Sequence, residues 1–224
     1  MKESFEILGL QINNLLAKDA LKYVMSYMQT EPLNIVELVT MDTLGKYQET
    51  DNINEVFELI DLKFACDKGI LQAVGIKEER RIREAKESLF LKMAMKYLHR
   101  NNVRVFLLAE TLADLHNLEY YIREDYAHIQ VIETATIEEQ GVSDDMLLNQ
   151  MNGAEVACVL SALPSPMEEQ FVSRNKFLIN ARLWLGLGNL LDEIKNKKSG
   201  FQKVKEFVLR QLLKKEMAKK GENA

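Results

Sequence analysis

Short continuous apolar runs alternate along this chain with segments whose apolar residues recur every three to four positions. The first pattern is that of strands buried on both faces, the second that of amphipathic helices. The clearest run is Asn102-Val103-Arg104-Val105-Phe106-Leu107-Leu108-Ala109-Glu110, apolar throughout from Val105 to Ala109. It predicts a strand covered on both sides in a parallel sheet, and a helical pattern follows at once from Thr111 through Tyr121. Upstream, Ile7 to Ile12 predicts a first short strand and Asn13-Asn14 a turn. Leu16, Ala20, Tyr23, Val24, Tyr27 and Met28 then share one helix face. Pro32 ends that connection before a strand from Asn34 to Thr40. Asp51-Asn52 is placed to cap a short helix running through Val56 and Ile60. Phe64-Ala65-Cys66 makes a brief apolar segment that ends at Asp67-Lys68-Gly69. The charged stretch Lys77 to Lys86 opens one long helix carrying Leu89, Met93, Met95 and Leu98. Ile129 to Ile132, Glu155 to Ser161 and Phe177 to Asn180 predict the remaining strands, with a helix from Asp144 to Met151.

Strands alternating with helices imply an α/β fold: a Rossmann-like, mostly parallel sheet with helices on both faces, followed by a helical appendage. The expected division is an α/β domain over 1–196 and a basic amphipathic C-terminal helix over 197–224. Between Lys203 and Lys220 stand seven basic residues against two acids, Glu206 and Glu216, while Val204, Phe207, Val208 and Leu212 lie near one face. Such a helix can rest on an anionic membrane surface or pack on the domain, and the sequence leaves both open.

Composition narrows the function. With 47% apolar residues the chain can bury a full core, and its net charge of −5 argues against a generally basic nucleic-acid binder. The two cysteines, Cys66 and Cys158, each sit in an apolar stretch, which predicts buried thiols. The three histidines, His99, His116 and His128, stand apart in sequence, and no Cys/His spacing fits a metal. No signal-peptide core opens the chain and no apolar run is long enough to cross a bilayer. The expected location is therefore cytoplasmic, with any membrane contact peripheral. Gly186-Leu187-Gly188 lacks the third glycine of a dinucleotide fingerprint, and no Walker-type motif occurs. The turn after Ala109 offers no glycine for a phosphate and carries a carboxylate, Glu110.

In order along the chain, several segments resemble those of one family. Ile7-Leu8-Gly9-Leu10-Gln11-Ile12-Asn13-Asn14-Leu15 is similar to its opening strand and turn, and Val39-Thr40-Met41-Asp42 to its Thr-x-Asn motif. Asp61-Leu62 through Asp67-Lys68-Gly69-Ile70 resembles its Ala-Asp-Leu-Val-x-x-Asp-Gly-Ile-Gly segment with one extra residue. Arg104-Val105-Phe106-Leu107-Leu108 is similar to its core strand, and Pro166, Glu169 and Arg174-Asn175 to its Pro-Lys-Gln-Glu and Arg-Asn elements. The family is that of the WecG/TagA/CpsF-type bacterial glycosyltransferases. The resemblance implies transfer of N-acetylmannosamine or a related sugar from a UDP-sugar to a polyprenyl-diphosphate-linked acceptor. It implies inversion at the anomeric centre, no cofactor, and a role in cell-surface polysaccharide synthesis. Asp67 falls on the family's catalytic Asp, and Thr40 and Arg83 on its substrate-contacting Thr and Arg.

Departures from the family pattern share a direction. Its Gly-Gly after the core strand is Ala109-Glu110 here, and its Gly-Ser-Asp is Lys86-Glu87-Ser88. Its Lys-Gln-Glu is Met167-Glu168-Glu169, the Asn of Thr-x-Asn is Asp42, and its Gly-rich strand end is not evident in Asn180-Ala181-Arg182-Leu183-Trp184. More negative charge and fewer glycines predict a weakened donor site, with Asp42, Glu110 and Glu169 as its altered substrate-facing positions. Two readings follow. One is an active, divergent transferase with Asp67 as general base; the other is a non-catalytic relative that binds a protein partner, a second copy or a paralogue, or another ligand.

Overall fold

The computed structural model describes residues 4–47, 53–138 and 143–188. The Asp51-Asn52 cap and the 197–224 helix both lie outside the described residues. Two strands open the chain, β1 (Ser4–Ile7) and β2 (Leu10–Asn13), followed by helix α1 (Ala17–Tyr27) and strand β3 (Asn34–Val39). Next come α2 (Met41–Tyr47), α3 (Ile53–Glu58), β4 (Leu62–Ala65), α4 (Lys68–Ala73), α5 (Glu79–Lys86) and α6 (Leu89–Arg100). The second half runs β5 (Arg104–Ala109), α7 (Leu112–Asp125), β6 (Gln130–Thr136), α8 (Asp144–Gly153), β7 (Cys158–Ala162), α9 (Met167–Asn175) and β8 (Leu183–Gly186).

The eight strands form one sheet in the order β1-β2-β4-β3-β8-β7-β5-β6. Only β1 runs antiparallel to its neighbour, β2. Side chains alternate between two cores, as the pleat requires. Ile35, Val39, Phe106, Leu108, Val159 and Trp184 face the side covered by α2, α3, α8 and α9. Val36, Leu38, Val105, Leu107, Leu160 and Leu185 face α1, α6 and α7. Double coverage explains the unbroken apolar run of β5, in which Val105 to Ala109 are fully buried. Among the described residues no helix is long and apolar enough to cross a membrane.

Four local expectations are corrected. Ile7 to Ile12 is not one strand but a hairpin, in which Leu8 and Gly9 both take positive φ (54° and 81°), the conformation a tight primed turn needs. The long helix from Lys77 is two helices, broken where Ser88 adopts the left-handed conformation at φ 52°. Phe177 to Asn180 is a surface loop with Phe177 and Leu178 exposed; the final strand is Leu183–Gly186, and its Trp184 is core. The histidines do not all stand apart, since the His99 and His128 rings stack at 4.4 Å and 7°. Both cysteines are free and buried, as their apolar settings predicted.

Candidate active site

Parallel α/β sheets present loops and helix N-termini at the carboxyl ends of their strands, and ligands bind there. The ends of β3 and β4 lie side by side, with Val39 opposite Ala65 and the Cys66 N–H donating to the Val39 carbonyl at 3.1 Å. Thr40 follows β3 directly. Its Oγ1 accepts the Thr43 N–H at 3.1 Å and pairs with the Thr43 hydroxyl at 3.0 Å, so this buried threonine caps α2. Asp42 stands half-buried in the first turn of the same helix. Asp67, two residues beyond β4, caps α4 by accepting the Gly69 N–H on Oδ1 at 2.5 Å. No described residue bonds its Oδ2, so a half-buried carboxylate is held by one oxygen and offers the other.

The family resemblance implies Arg83 as a substrate contact, but that side chain is exposed on α5. The buried face of α5 carries Arg81, Glu84 and Ala85, at the i, i+3, i+4 spacing of one helix side. Arg81 is 1% exposed, donates from Nη2 to the Ala65 carbonyl at 2.9 Å, and lies 4.5 Å over the Phe64 ring. Its Nε and Nη1 have no hydrogen-bond partner among the described residues. Burial draws its pKa below the ordinary guanidinium range, partly opposed by Glu84, yet a guanidinium stays charged. A buried cation with two unmet nitrogens thus sits beside the β4 end that leads into Asp67. Glu84 is occupied elsewhere, accepting the Ala17 N–H at 2.7 Å and Arg80 Nε at 3.1 Å.

A second polar group lies inside the protein. One row across the sheet reads Lys63, Glu37, Gly186, Ser161, Leu108 through β4, β3, β8, β7 and β5. Gly186 leaves an opening in that row, which the Glu168 carboxyl of α9 occupies while accepting Trp184 Nε1–H at 2.6 Å. Tyr47 Oη is 2.5 Å from Glu37 Oε1 and 2.6 Å from Glu169 Oε1, and the Ser165 hydroxyl donates to the latter at 2.5 Å. One phenolic proton serves only one of the two carboxylates, so the other contact requires a protonated carboxyl. Burial first, then the neighbouring Glu169 and Glu168, pushes Glu37 well above the ordinary carboxylate range and assigns it that proton. Burial and Glu169 likewise push Glu168 up to about 8. Glu168 and Glu169 therefore face inward, into a hydrogen-bonded cluster, and are buried away from the surface.

Glu110 occupies the same carboxyl edge at the end of β5, half-buried, with its carbonyl accepting the Glu138 N–H at 3.1 Å. Since β8 and β7 intervene between β3 and β5, it stands about 14 Å along the edge from Thr40. The adjoining N-terminus of α7 is closed by its own residues. Thr111 Oγ1 accepts the Asp114 N–H at 3.1 Å and donates to Asp114 Oδ2 at 2.6 Å.

The structure thus gathers Thr40, Asp42 and Asp67 at the β3 and β4 ends and adds Arg81. It places Glu169 in the interior, Arg83 in solvent and Glu110 across the sheet. The strand end that carries glycine is Gly186-Leu187-Gly188, downstream of the 180–184 stretch. Among the described residues no group of three or more His, Cys, Asp or Glu is arranged to hold a metal ion. The glutamate cluster escaped sequence reasoning because its members come from β3, α2 and α9; only Glu168-Glu169 at a helix start hinted at it.

No curated protein matches the chain. The sequence model of the glycosyl transferase WecG/TagA/CpsF family does match, over residues 5–200, and the chain belongs to that family.

Proposed function

We propose that this member of the WecG/TagA/CpsF family is an inverting hexosyltransferase. It moves N-acetylmannosamine or a related sugar from a UDP-sugar to a polyprenyl-diphosphate-linked acceptor in cell-surface polysaccharide synthesis. The observation that carries this reading is Asp67, fixed through Oδ1 by the Gly69 N–H, with no hydrogen bond to Oδ2 among the described residues. A carboxylate so held has the geometry of a general base. Asp67 takes the proton of the acceptor hydroxyl as its oxygen bonds to the anomeric carbon. The bond from that carbon to the UDP oxygen breaks on the opposite face, and UDP leaves with the bonding pair. Arg81, whose Nε and Nη1 have no partner among the described residues, supplies positive charge for the departing diphosphate. Asp42 and Thr40 border the same strand ends and contact the sugar.

The inward turn of Glu168 and Glu169 supports this reading, because it removes two of the acidic departures from the donor's surroundings. The acceptor is membrane-borne, and the basic stretch Lys203 to Lys220 gives the enzyme a peripheral contact with the inner leaflet. The test is release of UDP from the UDP-sugar, dependent on lipid-linked acceptor and lost in Asp67→Asn.

One observation favours a second reading, a non-catalytic relative that binds another ligand or a paralogue. The N-terminus of α7, where phosphate is often received in α/β proteins, is closed by Thr111 and Asp114 and preceded by Glu110. That reading predicts no response to UDP.

A further inference from the structure

Helices α6 and α7 lie side by side on one face of the sheet and leave a groove of about 550 Å³ between them. The α6 wall carries Lys92, Lys96 and His99, spaced by four and three residues and therefore on one helix face. Neither lysine engages a carboxylate among the described residues. Like charges at this spacing destabilise a helix slightly, and among the described residues no ion pair within 4.0 Å offsets them. His99 Nδ1 accepts the His128 N–H at 3.2 Å, and the neutral ring therefore carries its proton on Nε2. The opposite wall is aromatic: Tyr121 and Tyr126 meet at 5.3 Å between centroids, with their hydroxyls 3.4 Å apart. Two carboxylates, Glu87 and Asp125, also line the groove.

We propose that this groove is a second ligand site, for a phosphorylated sugar. The two lysines select an anionic group. Glu87 and Asp125 would repel a polyanion such as a nucleic acid, but they accept hydroxyl groups well. The tyrosines offer rings on which the apolar face of a sugar rests. A compact anion bearing several hydroxyls satisfies all three features at once. The groove ends at Glu87 and Ser88, the corner between α6 and α5, and α5 carries Arg81. Occupancy therefore bears on the helix that positions a residue of the strand-end site. The assignment rests on the groove alone and stands or falls apart from the transferase reading.

The test is calorimetric titration of the full chain with a hexose 1-phosphate, beside inorganic phosphate and the uncharged hexose. The hexose 1-phosphate should bind, inorganic phosphate more weakly, and the hexose more weakly still. The exposed pair Lys92→Ala/Lys96→Ala should lower the affinity at least about tenfold. Asp67→Asn should leave it unchanged. Undiminished binding in the double lysine variant overturns the proposal, as does loss of binding in Asp67→Asn, which would seat the sugar phosphate at the strand ends. Inorganic phosphate binding as tightly as the sugar phosphate overturns the assignment to a sugar, and silence up to ~10 mM overturns the site.

Discussion

The Glu168 carboxyl occupies the space that a side chain on Gly186 would need: a Cβ built there would stand 2.5 Å from Oε1 and 2.7 Å from Oε2. Glycine is thus required at this strand position by a neighbour, not by its own backbone. Gly186→Ala should cost about 1–3 kcal/mol, because Glu168 must abandon Trp184 or the strand must shift. Gly153→Ala, at the end of α8 with nothing within 4 Å, should be neutral or slightly stabilising. Urea unfolding of both variants measures the difference.

Stability should fall as pH rises. The folded protein keeps the Glu168 proton to about pH 8, whereas the unfolded chain releases it near 4.5. The stabilisation is full below about pH 4.5 and is lost as pH passes through about 8, at up to about 1.4 kcal/mol per pH unit. Glu37, also raised, acts in the same direction. Glu168→Gln keeps an acceptor for Trp184 and removes the titration, so its thermal midpoint should decline less between pH 5 and 8.5 than that of the parent.

Asp67 joins a structural and a chemical role, which two substitutions separate. Asparagine caps helices as well as aspartate, so Asp67→Asn should retain stability while transfer falls about 10²- to 10⁴-fold. Asp67→Ala should lose the same activity and a further ~1 kcal/mol of stability with the cap. Parallel rate and unfolding measurements check both.

Arg81 and Arg83 should behave oppositely. Arg81→Ala removes a buried charged donor from the Ala65 carbonyl and should cost about 2–3 kcal/mol. Arg83→Ala, on the exposed face, should change stability by no more than about 0.5 kcal/mol. Arg81→Lys, which keeps the charge but not the fork, should weaken UDP about tenfold, and Arg83→Ala should not. Unfolding curves and UDP titrations of all three variants decide this.

Particular residues explain how much of this was legible in the sequence. The order of strands and helices could be read because burial on two faces writes a strand as an unbroken apolar run, as in Val105 to Ala109. The hairpin at Leu8-Gly9 and the break at Ser88 were hidden, since leucine and serine rarely mark left-handed backbone. Phe177-Leu178 has the composition of a strand although both side chains are exposed, so composition alone does not separate it from one. Thr40 and Asp67 were legible only through the family resemblance, since a Thr at a strand end or an Asp before Lys-Gly is by itself an ordinary cap or turn residue. Arg81 was not legible, because α5 is charged nearly all round and its buried face carries no apolar stripe. The pairing of Tyr47 with Glu37 and Glu169 depends on tertiary structure, and no local pattern encodes it.

The central claim is most directly tested by calorimetric titration of the full chain with UDP at modest salt, with and without Mg²⁺. Wild-type protein should bind. Glu110→Gly, which removes a screened, half-exposed negative charge about 14 Å along the edge from Thr40, should tighten binding by no more than about twofold. Silence at millimolar UDP in both proteins would contradict the transferase account and leave a family scaffold that serves a different ligand.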